Sequence, residues 1–322
     1  METTQQQNTT LKKRKMPTRQ VKRLVYYCAI LAIPMLQFAF FWVYVNFSSI
    51  MYAFNSYENG PNGYVATFVG FENFAIAFKK LGSDTYLILN SLKYFALHIC
   101  VGIPLALIFS YYIYKNMAGS GLFRVILYLP QIISALIFAL LFKYMVTDVY
   151  TTLATKILGE KVATGLLNNP DTAFATVMFF NVWIGFGTEV LLYSGTMSGI
   201  SESIVESAEL DGANRVQEFL YITLPMIYPT LTTFIITSIA GIVTNRLNLI
   251  TLYDDGAGKY SSIGYYLYMA AQDPSLSLSS PATQFRLNFP ALSALGLIFT
   301  AIIFPVTMIT RKLMEKYGPS AN

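Results

Sequence analysis

The sequence predicts an all-α integral membrane protein with six transmembrane helices. Of its 322 residues, 54% are hydrophobic and only 12% are charged, and the mean hydropathy is +0.49. Soluble domains carry about 25% charged residues. A much lower charge content with long uncharged runs therefore indicates a membrane protein. Basic residues also cluster at both ends of the chain, which is typical of cytoplasmic segments.

Residues 1–23 are polar and predict a disordered, basic cytoplasmic tail. This tail supplies much of the net charge of +5, so the charge indicates membrane orientation and not a nucleic-acid partner. The first transmembrane helix is predicted within residues 24–54. The apolar stretch meets no charge between Leu24 and Glu58, and it is too long for the h-region of a signal peptide.

The rest of the chain alternates between loops and apolar runs. Residues 55–85 predict an external loop with a short interfacial helix beginning near its aromatic part. Residues 86–311 predict a core of five further spans. The apolar runs that define these spans are 93–115, 125–145, 172–197, 225–250 and 287–310.

The topology follows from the number of spans. Residues 147–171 and 252–287 are expected outside, and residues 312–322 form a second cytoplasmic tail. An even number of spans places both basic termini on the same side, which the positive-inside rule makes the cytoplasm.

Residues 201–225 form an acidic loop between the fourth and fifth spans. Ser201 or Ser203 suits a helix N-cap, and Asp211-Gly212 suits a helix end. The pattern predicts a helix, a glycine hinge, a second helical piece and then the membrane. We interpret it as a short helix presented to a soluble partner.

The spacing within this loop resembles the EAA loop of bacterial ABC importer permeases. The matching positions are Glu206, Ala208, Gly212, Ile222, Leu224 and Pro225, with Ser207 in place of the usual first alanine. The flank Leu210–Ala213 is typical of the carbohydrate-importing branch and similar to the maltose and glycerol-phosphate permeases. Residues 68–74, 123–134 and 183–187 also resemble family segments.

The resemblance implies a type I ABC importer permease fold in a bacterial inner membrane. It implies that the loop docks on a cytoplasmic ATPase. The coupling residues would be Glu206, Ser207, Ala208, Asp211, Gly212, Ala213, Ile222, Leu224 and Pro225.

The same resemblance implies a set of partners. These are a second, unlike permease, two ATPase subunits, an extracytoplasmic solute-binding protein and a carbohydrate substrate. ATP and Mg²⁺ would belong to the ATPase, because residues 256–259 lack the spacing of a phosphate-binding loop. We therefore predict no cofactor, no metal and no catalytic residue in this chain.

Polar groups within the spans are candidates for the substrate path. Glu189 is the ionisable residue of the fourth span, and a charge at mid-bilayer usually faces a partner or a polar route. It lines that route, or it pairs between helices, for instance with Arg246 or Lys143, or it lies close enough to the inner interface to be hydrated. The other candidates are Asn181, Trp183, Tyr193, Asn245, Arg246 and Asn248. His98, the only histidine, has no residues at metal-ligand spacing beside it.

Two other function classes remain as alternatives. An ion-driven secondary transporter predicts acidic residues in several spans. A membrane-embedded glycan or lipid enzyme predicts clustered acids, histidines or metal ligands. Within the spans the sequence offers Glu189 and no such cluster, so an ATP-driven sugar importer permease is favoured.

Overall fold

The computed structural model describes residues 18–61, 63–273 and 287–319, and these residues are mostly helical. The helices of the first half are α1 Thr18–Phe38, α2 Val45–Phe54, α3 Glu72–Ser83, α4 Thr85–Leu97, α5 Ile103–Tyr114, α6 Ser120–Ile132, α7 Ala135–Tyr144 and α8 Tyr150–Leu158. Those of the second half are α9 Ala173–Met197, α10 Glu202–Leu210, α11 Arg215–Glu218, α12 Leu224–Met226, α13 Tyr228–Thr244, α14 Leu249–Tyr253, α15 Ile263–Gln272 and α16 Phe289–Tyr317.

Six helical stretches are long and apolar enough to cross a membrane, as the sequence predicted. Within the described ranges they are Val25–Phe54, Thr85–Tyr114, Ala135–Leu158, Ala173–Met197, Tyr228–Tyr253 and Phe289–Tyr317. Each has 24 to 30 residues, and about 20 suffice to span a bilayer.

The chain divides into two compact units. Met1–Tyr52 is the first unit, and its helix continues through Pro34 into a π-helical turn at Ala39–Tyr44. Ala53–Asn322 is the second unit and contains the other five spans. Residues 1–17 of the predicted basic tail lie outside the described residues.

Three apolar clusters form the core of the second unit. One gathers α3, α4, α15 and α16 around Leu87 and Leu295. Another joins α5 and α9 through Ile103, Tyr193 and their neighbours, and it also takes in Val205 of α10. The last lies between α7, α9 and α14. The predicted coupling loop therefore shares its core with two spans.

Three spans contain a π-helical turn within the described residues, at Ala39–Tyr44, at His98–Gly102 between α4 and α5, and at Met145–Val149 between α7 and α8. A further one at Phe219–Thr223 separates α11 from α12, before the fifth span. Such turns shift the register of a helix and are frequent at functional sites. His98 begins the second of them and lies near the middle of the second span.

A β-hairpin occupies the first half of the predicted loop 55–85, and the sequence analysis missed it. Strand β1 Asn55–Gly60 pairs antiparallel with β2 Gly63–Phe68, with Asn55 opposite Phe68 and Gly60 opposite Gly63. The residues of β2 include valine, threonine and aromatics, which favour extended structure. The predicted interfacial helix follows as α3, and it extends to Ser83.

The third span lies further along the chain than residues 125–145. The helix breaks after α6, where Ile133 and Ser134 are extended, and the spanning stretch begins at Ala135. It continues past the apolar run through a π-helical turn at Met145–Val149 into α8. It ends at Gly159, whose left-handed φ of +71° suits a helix C-terminus, well inside the predicted loop 147–171.

Two other predicted segments differ in their bounds. The last span begins at Phe289 and extends to Tyr317, so most of the predicted tail 312–322 continues α16. The predicted loop 252–287 contains α15, and residues 274–286 of it lie outside the described residues.

Candidate functional site

The predicted helix–hinge–helix of residues 201–225 is present, and its hinge is at Gly212. Helix α10 ends with two bonds, from Gly212 N to Glu209 O at 3.1 Å and from Ala213 N to Ala208 O at 3.0 Å. These two bonds are the Schellman motif, which needs a left-handed residue at the position of Gly212. The φ angle of Gly212 is +83°, so glycine suits this position.

The second helical piece is fixed by its own N-cap. The Asn214 side chain accepts bonds from the amides of Val216 and Gln217, at 3.0 and 2.9 Å. The backbone N–H of Asn214 donates in turn to Oε1 of Gln217 at 2.9 Å, which completes a capping box. Both helices are therefore capped by local bonds, so the loop keeps its shape on the surface.

Large apolar side chains of this loop are exposed. Leu210 is 88% exposed, Tyr221 76% and Val216 66%. Exposed apolar groups next to a rigid turn are characteristic of a surface that another protein covers. Glu206, Ser207, Asp211 and Gly212 are exposed on the same loop.

Other residues of the loop attach it to the membrane core. Val205 is buried in the cluster of α5 and α9. Lys115, directly after α5, places Nζ 2.7 Å from Oε1 of Glu218, whose side chain is 2% exposed. The hydroxyl of Tyr111 donates to the carbonyl of Arg215 at 3.1 Å.

The structure brings the predicted coupling residues together on this loop. Ala208 and Ala213 are half-buried beside the hinge. Ile222, Leu224 and Pro225 are half-buried where the π-helical turn leads into α12. The anchors Lys115 and Glu218 were missed as functional residues. From the sequence alone, a lysine at the end of an apolar span does not indicate an anchor, because its ion-pair partner is not known.

A cavity of about 280 Å³ lies between α4, α9 and α13. Of the predicted substrate-path residues, it is lined by Glu189 and Asn245. Its other polar lining residues are Tyr94, His98, Thr237 and Ser238. The sequence analysis did not propose these four residues for the path, because they meet only when three spans pack together.

Glu189 pairs with His98, and neither Arg246 nor Lys143 is its partner. Oε1 of Glu189 lies 2.6 Å from Nε2 of His98, and each side chain is 12% exposed. Nδ1 of His98 lies 3.1 Å from Oγ of Ser238. The chain of contacts therefore joins three spans through one imidazole ring.

The remaining predicted path residues lie elsewhere. Asn181 is buried and donates to the carbonyls of Val177 and Leu247, at 2.9 and 2.8 Å. Its Oδ1 accepts from Asn248 Nδ2 at 2.9 Å. The helix is broken between α13 and α14, where Leu247 and Asn248 both have positive φ. The bonds of Asn181 to these two residues stabilise this break. Asn181 and Asn248 thus serve the fold at this point.

Three more candidates have apolar or aromatic surroundings. Arg246 is exposed and stands 4.7 Å from the ring centroid of Tyr268. Trp183 packs against Phe138, with ring centroids 5.1 Å apart. Tyr193 is fully buried in the cluster of α5 and α9. None of the three lines the cavity with Glu189.

Comparison with known proteins identifies the family. Residues 100–317 match the family described as "Binding-protein-dependent transport system inner membrane component". The chain belongs to this family. The match includes the coupling loop and all lining residues of the cavity except Tyr94, Phe95 and His98.

Three relatives are transporter permeases, two of which are named for sugar transport. The chain is 29% identical over 204 residues to the maltose/maltodextrin permease MalF of Salmonella typhimurium, covering 60% of this chain and 38% of that protein. It is 28% identical to the probable ABC transporter permease YesP of Bacillus subtilis, covering 69% and 72%. It is 23% identical to the arabinooligosaccharide permease AraP of the same organism, covering 88% and 86%. The chain thus spans well under half the length of the MalF proteins that it matches.

Solved structures share the fold. A bacterial alginate ABC transporter in complex with an alginate-bound periplasmic protein matches with a TM-score of 0.73 and 18% identity, covering 94% of this chain and 98% of that one. A second alginate ABC transporter structure matches with a TM-score of 0.71 and 19% identity. The fold is therefore that of a type I ABC transporter permease, and the chain is a multi-pass membrane protein.

Proposed function

We propose that the chain forms half of the translocation pathway of an ATP-driven importer of sugars or oligosaccharides. The observation that carries this proposal is the capped, exposed helix pair around Gly212, anchored to the spans by Lys115 and Glu218. The family and the sugar permeases among its relatives support the substrate class.

The coupling surface, residues 201–225, would receive the stroke of an ATPase. A push on α10 would reach α5 and α9 through Val205 and through the Lys115–Glu218 ion pair. Interdigitated cores are stiff, so such a displacement is transmitted and not absorbed. The capped hinge keeps the two short helices at one angle during the stroke.

The remaining parts of the assembly are also proposals. A docking role requires the coupling surface on the cytoplasmic side, and six spans then place both termini there. A second, unlike permease would complete the pathway, and two ATPase subunits would hold ATP and Mg²⁺. An extracytoplasmic solute-binding protein would meet the opposite end, which includes the hairpin and α15.

The substrate path would pass the cavity lined by Glu189 and Asn245. Aromatic faces and neutral hydrogen-bonding groups suit sugar rings, and Tyr94, Phe234 and Thr237 supply both kinds. In the described residues no observation favours an ion-driven transporter or a membrane enzyme. Glu189 is the acidic residue of the cavity, and it is paired with His98.

The test is uptake into proteoliposomes that contain this chain with the permease, ATPase and binding protein encoded beside it. Labelled oligosaccharides should accumulate only with internal ATP, and vanadate should abolish the accumulation. Ionophores that dissipate ion gradients should leave it unchanged. Uptake that survives vanadate and stops with the ionophore would overturn the proposal in favour of an ion-driven transporter.

A further inference from the structure

The contacts of His98 limit the charge of the cavity. Nε2 of His98 lies 2.6 Å from Oε1 of Glu189, which requires a proton between these two atoms. Nδ1 lies 3.1 Å from Oγ of Ser238, whose hydroxyl also lies 2.8 Å from the carbonyl of Phe234, so Nδ1 either accepts from this hydroxyl or donates to its oxygen. With a proton on Nδ1 the pair has no net charge, and without one it carries the negative charge of Glu189. In both arrangements the pair has no net positive charge.

No other full charge among the described residues lines this cavity. The remaining lining groups are aromatic, aliphatic, hydroxyl or amide groups. On α4, the nearest basic residue is Lys93, and its ammonium lies over the ring of Phe174 at 5.2 Å. On α13 the neighbours of Ser238 in the cavity are Thr237, Gly241 and Asn245.

A polar cavity without a net positive charge discriminates strongly against an anion. A carboxylate that leaves water needs a cation or several donors, and an uncompensated one is costly to bury. Here the imidazole of His98, which could become a cation, is already engaged by Glu189. A sugar hydroxyl can donate and accept, so it can bond to Asn245, Thr237 and the free positions of Glu189 without a charge penalty.

We infer that the His98–Glu189 pair is a charge filter: the cavity accepts uncharged sugar rings and rejects sugars that carry a carboxylate. This inference rests on the proposed function and narrows its substrate class to neutral saccharides. Glu189 supplies the repulsion and His98 offsets the cost of burying it. Loss of Glu189 should therefore relax the selectivity, whereas loss of His98 should weaken the binding of both classes of sugar.

The experiment measures direct sugar binding to the assembled transporter in nanodiscs, without the solute-binding protein, whose own selectivity would mask the effect. The probes are glucose- and galactose-based disaccharides and their uronic acid counterparts, followed by saturation-transfer NMR titration. The variants are Glu189→Gln, His98→Gln and the double substitution. Trp183→Phe, which lies outside the cavity lining, is the matched control.

The wild type and the control should bind neutral disaccharides and bind the uronic acids at least about tenfold more weakly. Glu189→Gln leaves His98 as an unopposed donor and should gain uronate binding by about tenfold or more. His98→Gln leaves an unpaired carboxylate, so both classes should bind more weakly. The double variant should recover neutral binding.

Equal binding of neutral and acidic sugars by the wild type would overturn the inference, as would absence of neutral binding. So would a neutral-to-uronate ratio that is the same in the wild type, in both single variants and in the double variant. These outcomes are separate from failure of the proposed function. That failure appears as uptake that needs no ATP, whereas the charge filter is measured by binding without ATP.

Discussion

The coupling surface and the cavity differ in where their acidic side chains lie. At the coupling surface, acidic and apolar side chains are exposed, and of the acidic residues only Glu218 is buried, against Lys115. In the cavity, Glu189 is largely buried and is paired with His98. An exposed surface can receive a partner protein, whereas a polar cavity between spans can select a small molecule.

The same two spans connect these regions. The span of α4 and α5 contains His98 near its middle and is followed at its end by Lys115, about 25 Å further along the helix axis. Helix α9 contains Glu189 and ends at Met197 in the cluster that includes Val205. Movement at one region therefore displaces the other through packed helices.

The largest effect is expected from Gly212→Val. A β-branched residue is strained at a φ of +83°, so the Schellman motif and the angle between α10 and α11 should be lost. We expect membrane insertion to be normal and ATP-driven uptake to be abolished. Gly212→Asn, which tolerates the left-handed region, is the control and should retain most of the uptake. Full uptake by the valine variant would contradict a role for the hinge.

A charge reversal at Glu206 should be almost as severe. Glu206 is exposed on α10, so Glu206→Lys should leave the thermal unfolding temperature unchanged while uptake falls by at least about tenfold. The matched control is Glu202→Lys, an exposed acid of the same helix outside the recognised spacing. If both reversals reduce uptake equally, the effect comes from the charge of the loop and not from Glu206.

Lys115→Met should weaken both coupling and stability. Removing one partner of a buried ion pair costs about 3–5 kcal/mol, because Glu218 then has a buried charge without compensation. Unfolding of the purified protein should occur at a lower temperature, and ATP hydrolysis should become partly uncoupled from uptake. The double variant with Glu218→Met should recover stability. A double variant as unstable as Lys115→Met would show that the packing of Lys115, and not its charge, matters.

The smallest effect on transport is expected from Asn181→Ala. This change removes two donated bonds and one accepted bond, so we expect a loss of about 1–3 kcal/mol in stability. Sugar selectivity should stay that of the wild type, because Asn181 does not line the cavity. A changed selectivity would return Asn181 to the substrate path. The measurement is thermal unfolding together with the binding titration described above.

The sequence was sufficient for features that depend on local spacing. Six apolar runs, the helix ends at Ser201 and Gly212, and the family resemblance all follow from residues near one another in the chain. The bounds of the third span did not follow, because the helix continues past the apolar run into the polar residues of α8, through a π-helical turn that no apolar pattern marks. The hairpin of β1 and β2 was missed since a loop rich in asparagine and glycine gives a weak strand pattern.

The candidate sites show the same division. The coupling residues were found from their spacing, but their anchor Lys115 lies about a hundred positions earlier. Glu189 was found because an acid in a span is unusual. Its partner His98 was not found, because the pair forms only when α9 packs against the span that contains the π-helical turn. Pairing between distant spans is a property of packing, which no local pattern encodes.

The most direct test of the account is cross-linking at the coupling surface. Leu210 is 88% exposed there, and Ile157, at the far end of its span, is 80% exposed. The native Cys28 and Cys100 are both exposed and are first replaced by serine. Leu210→Cys and Ile157→Cys are then treated with a short bifunctional thiol reagent in membranes that contain the assembled transporter. We predict that position 210 forms a cross-link to the ATPase whose yield depends on nucleotide, and that position 157 forms none. A cross-link to the ATPase from position 157 but not from position 210 would contradict the proposed coupling role.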